Sequence, residues 1–145
     1  RSSPQRPGRW CADFHETLMA NKESVGAFAI VPTNDLPATI AFWERLGFER
    51  AGGDHHYIIL TGWDCEVHVT QAGEGPWRVP VDHNPFGVFI RTPHVEAIAA
   101  LVDDLIIRPG GILRHRDWGM YEFAVGAPDG LLVRIGWPSS LVGAR

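Results

Sequence analysis

Hydrophobic positions along the chain change period twice, in the same order. Residues 25–31 read as a strand, and Leu36, Ile40, Trp43 and Leu46 then recur at helical spacing behind Asp35, a residue suited to an N-cap, until Gly47 stops the helix. Strand-like stretches follow at about 55–60 and 65–70. The pattern then restarts: residues 86–91 read as a strand, and Val95, Ile98, Val102 and Leu105 line a second helical face that ends at Gly110-Gly111. Strands are predicted at about 112–115, 121–125 and 131–137. The order β-α-β-β, with a further strand after the second helix, thus occurs twice. Between the units, residues 72–85 carry Gly73, Gly75, Pro76 and Pro80 and read as a loop.

The last two strands form the plainest hairpin. Tyr121, Phe123 and Val125 alternate with Glu122 and Ala124, and Leu131, Val133 and Ile135 alternate with Leu132 and Arg134. Ala127-Pro128-Asp129-Gly130 supplies the turn, because proline presets φ and glycine accepts a positive one. Arg134 therefore shares a face with Leu132 and stands opposite the apolar set. An α+β fold follows, in which helices cover one face of each of two curved sheets. The other faces must meet something, and closure around a cavity, within one chain or between two, meets that need.

At 145 residues the chain has the length of one domain able to bury a core without disulfides or metals. We read residues 1–23, rich in Arg, Pro and Ser and without a period, as a tag remnant, a start misassigned ahead of Met19, or a flexible arm in which Trp10, Phe14 and Leu18 can dock as a short helix. Residues 24–145 then form one domain of two modules, about 24–72 and 86–138. Six tryptophans supply aromatic surface for a dense core or for a pocket that takes flat, greasy ligands. Net charge is −4, and from Ser24 onward it is −5, so no basic stripe exists for a nucleic-acid partner and a neutral or cationic ligand fits better. Two cysteines, Cys11 and Cys65, make neither a disulfide framework nor a four-ligand zinc site. Reduced thiols, the absence of a signal-peptide core and the lack of any run of about 18 apolar residues place the protein in the cytoplasm, away from membranes.

The segment Val31-Pro32-Thr33-Asn34-Asp35 through Phe42-Trp43-Glu44-Arg45-Leu46-Gly47-Phe48 resembles the first strand and helix of the vicinal-oxygen-chelate superfamily, and within it of the bleomycin-resistance proteins. Trp118-Gly119, Glu122-Phe123-Ala124 and Pro128-Asp129-Gly130 resemble their closing hairpin. These motifs anchor both ends of residues 25–137. The resemblance implies the glyoxalase/bleomycin-resistance fold: two βαβββ modules whose open curved sheets surround a cavity, in a homodimer. Enzymes of the superfamily hold a divalent metal on four strands, at places that match Phe28, His68, Gly87 and Arg134 here. Phenylalanine and glycine offer no side-chain ligand and an arginine repels a cation, so neither a metal nor another cofactor is expected.

Candidate residues follow from face and position. Arg134 either pairs with a carboxylate such as Glu66 or binds a ligand carboxylate or carbonyl. His68 shares a face with Glu66 and Thr70, as a ligand contact or a satisfied structural histidine; direct contact between Glu66 and His68 is marginal at that spacing. Asp54-His55-His56 is set aside as a metal site because neighbours on a strand point to opposite faces. Trp118 matches the tryptophan that stacks on the drug in bleomycin binders, and is pocket or core. Trp43 is core, and Trp63 and Trp77, in or near loops, are rim candidates. The leading expectation is a metal-free binding protein that sequesters a bulky aromatic molecule, such as a bleomycin-like antibiotic, through Trp118, Phe28, His68, Glu66, Arg134, Trp63 and Trp77, without catalysis. The alternatives are a lyase, epimerase or dioxygenase of the same superfamily, with His68 and Glu66 as the local acid–base pair, or a structural or effector module with no filled cleft.

Overall fold

The computed structural model describes residues 25–143; the N-terminal arm with Trp10, Phe14 and Leu18, and Cys11, lie outside the described residues. Two mixed four-stranded sheets make up the molecule. The first contains β1 (Ile30–Thr33), β2 (Glu49–Gly53), β3 (Tyr57–Gly62) and β4 (Cys65–Gln71), in the order β1-β4-β3-β2. The second contains β5 (Gly87–Arg91), β6 (Arg114–His115), β7 (Met120–Gly126) and β8 (Leu132–Pro138), in the order β5-β8-β7-β6. In each sheet the first strand runs parallel to the last and the other pairs are antiparallel, so the repeat seen in the sequence is a repeat of topology. Helix α1 (Leu36–Arg45) follows β1, and α2 (Val95–Leu101) follows β5.

The phrase around Arg45-Leu46-Gly47-Phe48 is a helix stop. Phe48 N–H donates to Trp43 O and Gly47 N–H to Glu44 O, both at 3.0 Å, with Gly47 at φ 92°. That is a Schellman motif, and its usual apolar contact is present as the edge-to-face Trp43–Phe48 pair, centroids 5.0 Å apart. At the other end the Asp35 side chain accepts from Ala38 N at 3.1 Å. Trp43, Leu46, Ile98 and Val102 join Val69, Leu60, Phe123, Val125, Val133 and Ile135 in one buried cluster that spans both modules. Each sheet thus has one face on a shared core and the other open.

Several boundaries differ from the sequence reading. The first strand covers Ile30–Thr33 instead of 25–31, because β1 is an edge strand whose ladder to β4 begins only at Ile30; the edge position also tolerates Pro32. The strand β2 was not predicted. Its sequence Glu-Arg-Ala-Gly-Gly has little strand propensity, and a bulge between Arg50 and Gly52 breaks the alternation. The second helix ends at Leu101, and Leu105 sits in a separate 3₁₀ turn. Only Arg114 and His115 of the stretch 112–115 pair as a strand. The Asp54-His55-His56 segment is a turn before β3, where the two imidazoles touch with centroids 4.0 Å apart instead of pointing to opposite faces. Among the described residues no helix is long and apolar enough to cross a membrane.

Two carboxylates join the modules: Asp104, in an exposed ion pair with Arg45 at 2.6 Å, and the less exposed Asp129. Asp129, at φ 63° in the β7–β8 turn, accepts from Thr33 Oγ1 at 2.7 Å and from Asn34 N at 2.8 Å, both at the β1–α1 corner. Asn34 then binds Val79 in both directions, through Asn34 Nδ2 to Val79 O at 2.9 Å and Val79 N to Asn34 Oδ1 at 2.8 Å, which fastens the linker across the same seam. Gly130 follows at φ 67°, and a Cβ there would lie 2.4 Å from Val81 O. We expect Asp129→Ala to lower stability by about 2–4 kcal/mol, since hydrogen bonds to charged groups contribute about 1.5–3 kcal/mol each. Asp129→Asn, which keeps an acceptor and tolerates positive φ, should cost about half as much; urea denaturation measures both.

Candidate functional site

The open face of the first sheet gathers polar and aromatic groups by strand register. His68 pairs with Ile59 and Ile30, Glu66 with Thr61, and Thr70 with Tyr57, so these side chains share one side of the sheet. Phe28, just ahead of β1, lies flat on His68 with ring centroids 5.7 Å apart and planes 10° from parallel. Glu66 and His68 are in direct contact, Oε2 to Nε2 at 2.8 Å, closer than their spacing along the strand suggested. Tyr57 Oη binds the other imidazole nitrogen, Nδ1. Burial, and then the Glu66 charge, push the Tyr57 phenol up, so its O–H stays protonated at neutral pH. Where that phenol donates to Nδ1, the matching imidazole tautomer carries its proton on Nε2, facing Glu66. Both nitrogens of His68 are committed, so a metal reaching this histidine would have to break one of those bonds. Among the described residues no three His, Cys, Asp or Glu side chains come together as a ligand set.

Next to this chain of bonds is an open cleft of about 840 Å³, bounded by Phe28, Trp63, Glu49, Asp64 and Glu66 among others. Trp63 and Asp64 form the two-residue β3–β4 turn with φ of 55° and 61°, values that favour Asn and Gly and strain a tryptophan. The strain is compensated locally: Trp63 Nε1 donates to Leu46 O at 2.7 Å, capping α1. Its ring also occupies the space over Gly47, where a Cβ would lie 2.9 Å from the indole. Cys65 borders the cleft as a free thiol, pushed up by burial and then by the Asp64 charge.

Trp118 and Arg134 belong to the other sheet. Trp118 is 62% exposed, so it is no core residue, and its Nε1 donates to Glu122 Oε1 at 3.0 Å. Arg134 lies exposed on the open face of β8, opposite Phe89 on β5. It makes no ion pair with Glu66, whose partner is His68; among the described residues its guanidinium has no hydrogen-bond or ion-pair partner. Gly87 is on this sheet too, so the four positions matched to superfamily metal sites split into two pairs, one per sheet. Trp77 stands apart at 80% exposure in the linker, and Trp43 is fully buried. Sequence reading passed over Glu49 and Asp64, which only the unpredicted β2 and the strained turn bring beside Glu66. It also missed Arg91 and Arg114, which register places on the same open face as Arg134.

A two-module α+β fold with open, mixed sheets is that of the glyoxalase/bleomycin-resistance proteins, and solved structures match it across most of the chain. A bleomycin-binding protein complexed with bleomycin is 24% identical, with a TM-score of 0.63, over 79% of this chain and 98% of that one. A bleomycin resistance determinant encoded on the transposon Tn5 is 21% identical, with a TM-score of 0.65 and coverage of 79% and 98%. The bleomycin-binding protein of bleomycin-producing Streptomyces verticillus, complexed with copper(II)-bleomycin, is 21% identical, with a TM-score of 0.60 and coverage of 77% and 94%. At these identities the likeness is one of fold. No protein-family model matches the chain, and no curated protein does.

The turn that delivers Tyr57 to His68 titrates. Asp54 Oδ1 accepts from His56 N at 2.7 Å and Tyr57 N at 2.9 Å, and these bonds hold its carboxyl below the ordinary range. A depressed folded-state pKa gives stability that is present above the unfolded-state value and lost as pH falls through the folded one. Asp54→Ala should therefore lower stability by about 0.5–1 kcal/mol at pH 7, as other exposed caps do. The gap should close at pH below the carboxylate range, as measured by thermal melts of both proteins against pH.

Proposed function

We propose that this chain is a small-molecule binding protein that captures a bulky aromatic compound by sequestration, with bleomycin-like antibiotics as the leading candidates. The observation that carries this reading is the cleft where Phe28 and Trp63 meet Glu49, Asp64 and Glu66. Aromatic walls favour a flat ring system, and three carboxylates beside them favour a cationic or hydrogen-donating one. The solved structures that share the fold include bleomycin-binding proteins, two of them holding the drug. The engaged state of His68 makes it a support for the Phe28 and Glu66 walls of the cleft more readily than a reagent.

Homodimerisation in the cytoplasm completes the proposal. Ile30, Phe89 and Leu132 are exposed on the open faces, at 56%, 47% and 38%. Charge differs in sign between those faces: Glu49, Asp64 and Glu66 on or beside the first sheet, Arg91, Arg114 and Arg134 on the second. A second copy that lays its second sheet over this first sheet would cover the apolar residues, pair the charges and bring Trp118 and Arg134 to the cleft. A free thiol such as Cys65 persists in a reducing compartment.

A second reading, acid–base catalysis on this fold, is favoured by one observation, the Tyr57–His68–Glu66 hydrogen-bond chain.

Titration with bleomycin and with 9-aminoacridine, a flat tricyclic cation, should quench tryptophan emission with one ligand per chain. Trp118→Ala should weaken binding by about ten-fold, within the range for a stacking contact and its buried area. Mass spectrometry of the recovered compound separates the readings. Unchanged ligand supports sequestration, whereas a product that disappears in His68→Gln supports catalysis; no binding by either compound overturns aromatic capture. Sedimentation should give about twice the 16.1 kDa chain mass, and Arg134→Glu should shift it toward the monomer.

A further inference from the structure

Glu122 is out of place by ordinary folding criteria. It sits in mid-strand on β7 and is 5% exposed, although acidic side chains are seldom buried unless a partner compensates them. Arg114 is its neighbour across the β6–β7 ladder, yet the two form no ion pair. Arg116 reaches only its backbone carbonyl, at 3.5 Å. The side chain makes one hydrogen bond among the described residues, accepting from the Trp118 indole N–H at 3.0 Å.

The surroundings are built to hold it there. Gly136 lies opposite Glu122 on β8, and a Cβ at that position would come within 2.8 Å of Glu122 Cβ and 3.4 Å of Oε2. It would also crowd the Phe89 ring at 3.3 Å, so the glycine clears a floor on which Glu122 lies beside an exposed aromatic. Trp118 projects from a tight loop closed by Arg116 N to Met120 O at 2.7 Å and Gly119 N to Arg116 O at 3.0 Å. At 62% exposure its ring would otherwise turn freely about two side-chain torsions. The bond to Glu122 fixes the indole edge and leaves a ring face to solvent.

We propose that Glu122 is a positioning residue that presets Trp118 as a stacking platform, with Gly136 as the space that admits it. The proposal rests on the aromatic-capture reading. It adds that the platform is assembled on folding, so ligand binding does not have to order the ring.

Its test is a double-mutant cycle on the full chain, read by fluorescence titration of 9-aminoacridine. Glu122→Ala should weaken binding about ten-fold in the parent and less than about two-fold in Trp118→Phe, which keeps a ring but has no N–H to hold. Glu122→Gln retains an acceptor for the indole and should stay within about three-fold of the parent, which also guards against a loss of folding in the alanine variant. The Trp118 indole proton should be protected from exchange by NMR in the parent and Glu122→Gln and unprotected in Glu122→Ala. An equal penalty in both backgrounds, or an unprotected proton in the parent, overturns the positioning role and leaves aromatic capture standing. Failure of the parent to bind 9-aminoacridine overturns both for this class of ring.

Discussion

The Asp129 carboxylate is the constraint on which the arrangement depends. A turn in the second module reaches the β1–α1 corner of the first and satisfies a hydroxyl and a backbone N–H there. With that seam closed, both helices and the inner faces of both sheets share one apolar cluster. The opposite faces are consequently left without cover from this chain. A fold that spends its apolar surface on a central core exposes two sheet faces, and those faces are where binding chemistry can be placed without disturbing the core.

Local stops and caps transmit this arrangement to the cleft. The Schellman end of α1 turns the chain at Gly47, and Trp63 covers that turn while donating to Leu46. One indole thus serves the helix terminus, the strained hairpin and the cleft wall. Polar groups on the same face are satisfied within it, with Tyr57, His68 and Glu66 bonded in series under the Phe28 ring. A satisfied network is rigid, and a rigid wall costs less conformational entropy when a ligand binds. The second face is built on the same logic, with Glu122 holding Trp118.

Most of the architecture was legible in the spacing of residues. Periodicity located both helices and seven of the eight strands, and the Pro-Asp-Gly turn and the Leu-Gly-Phe helix stop read directly as backbone requirements. The polar, bulged β2 escaped, because a central partner and not its own side chains makes it a strand. The site was legible only in part. Phe28, Trp63, His68 and Glu66 converge on one sheet, Trp118 and Arg134 stand on the other, and Trp77 is in the linker. Strand parity placed His68 beside Glu66 and Arg134 opposite the core, but carried no information on which side chains bond.

By itself the sequence determined element type, the two-module repeat and which faces are buried, because each depends on side-chain period and local backbone preference. Tertiary structure alone decided that Asp129 clasps the modules, that Glu66 chooses His68 over Arg134, and that Glu122 holds Trp118. Those outcomes depend on distances of a few ångströms between separate strands, set by register, bulges and loop closure that no local pattern records.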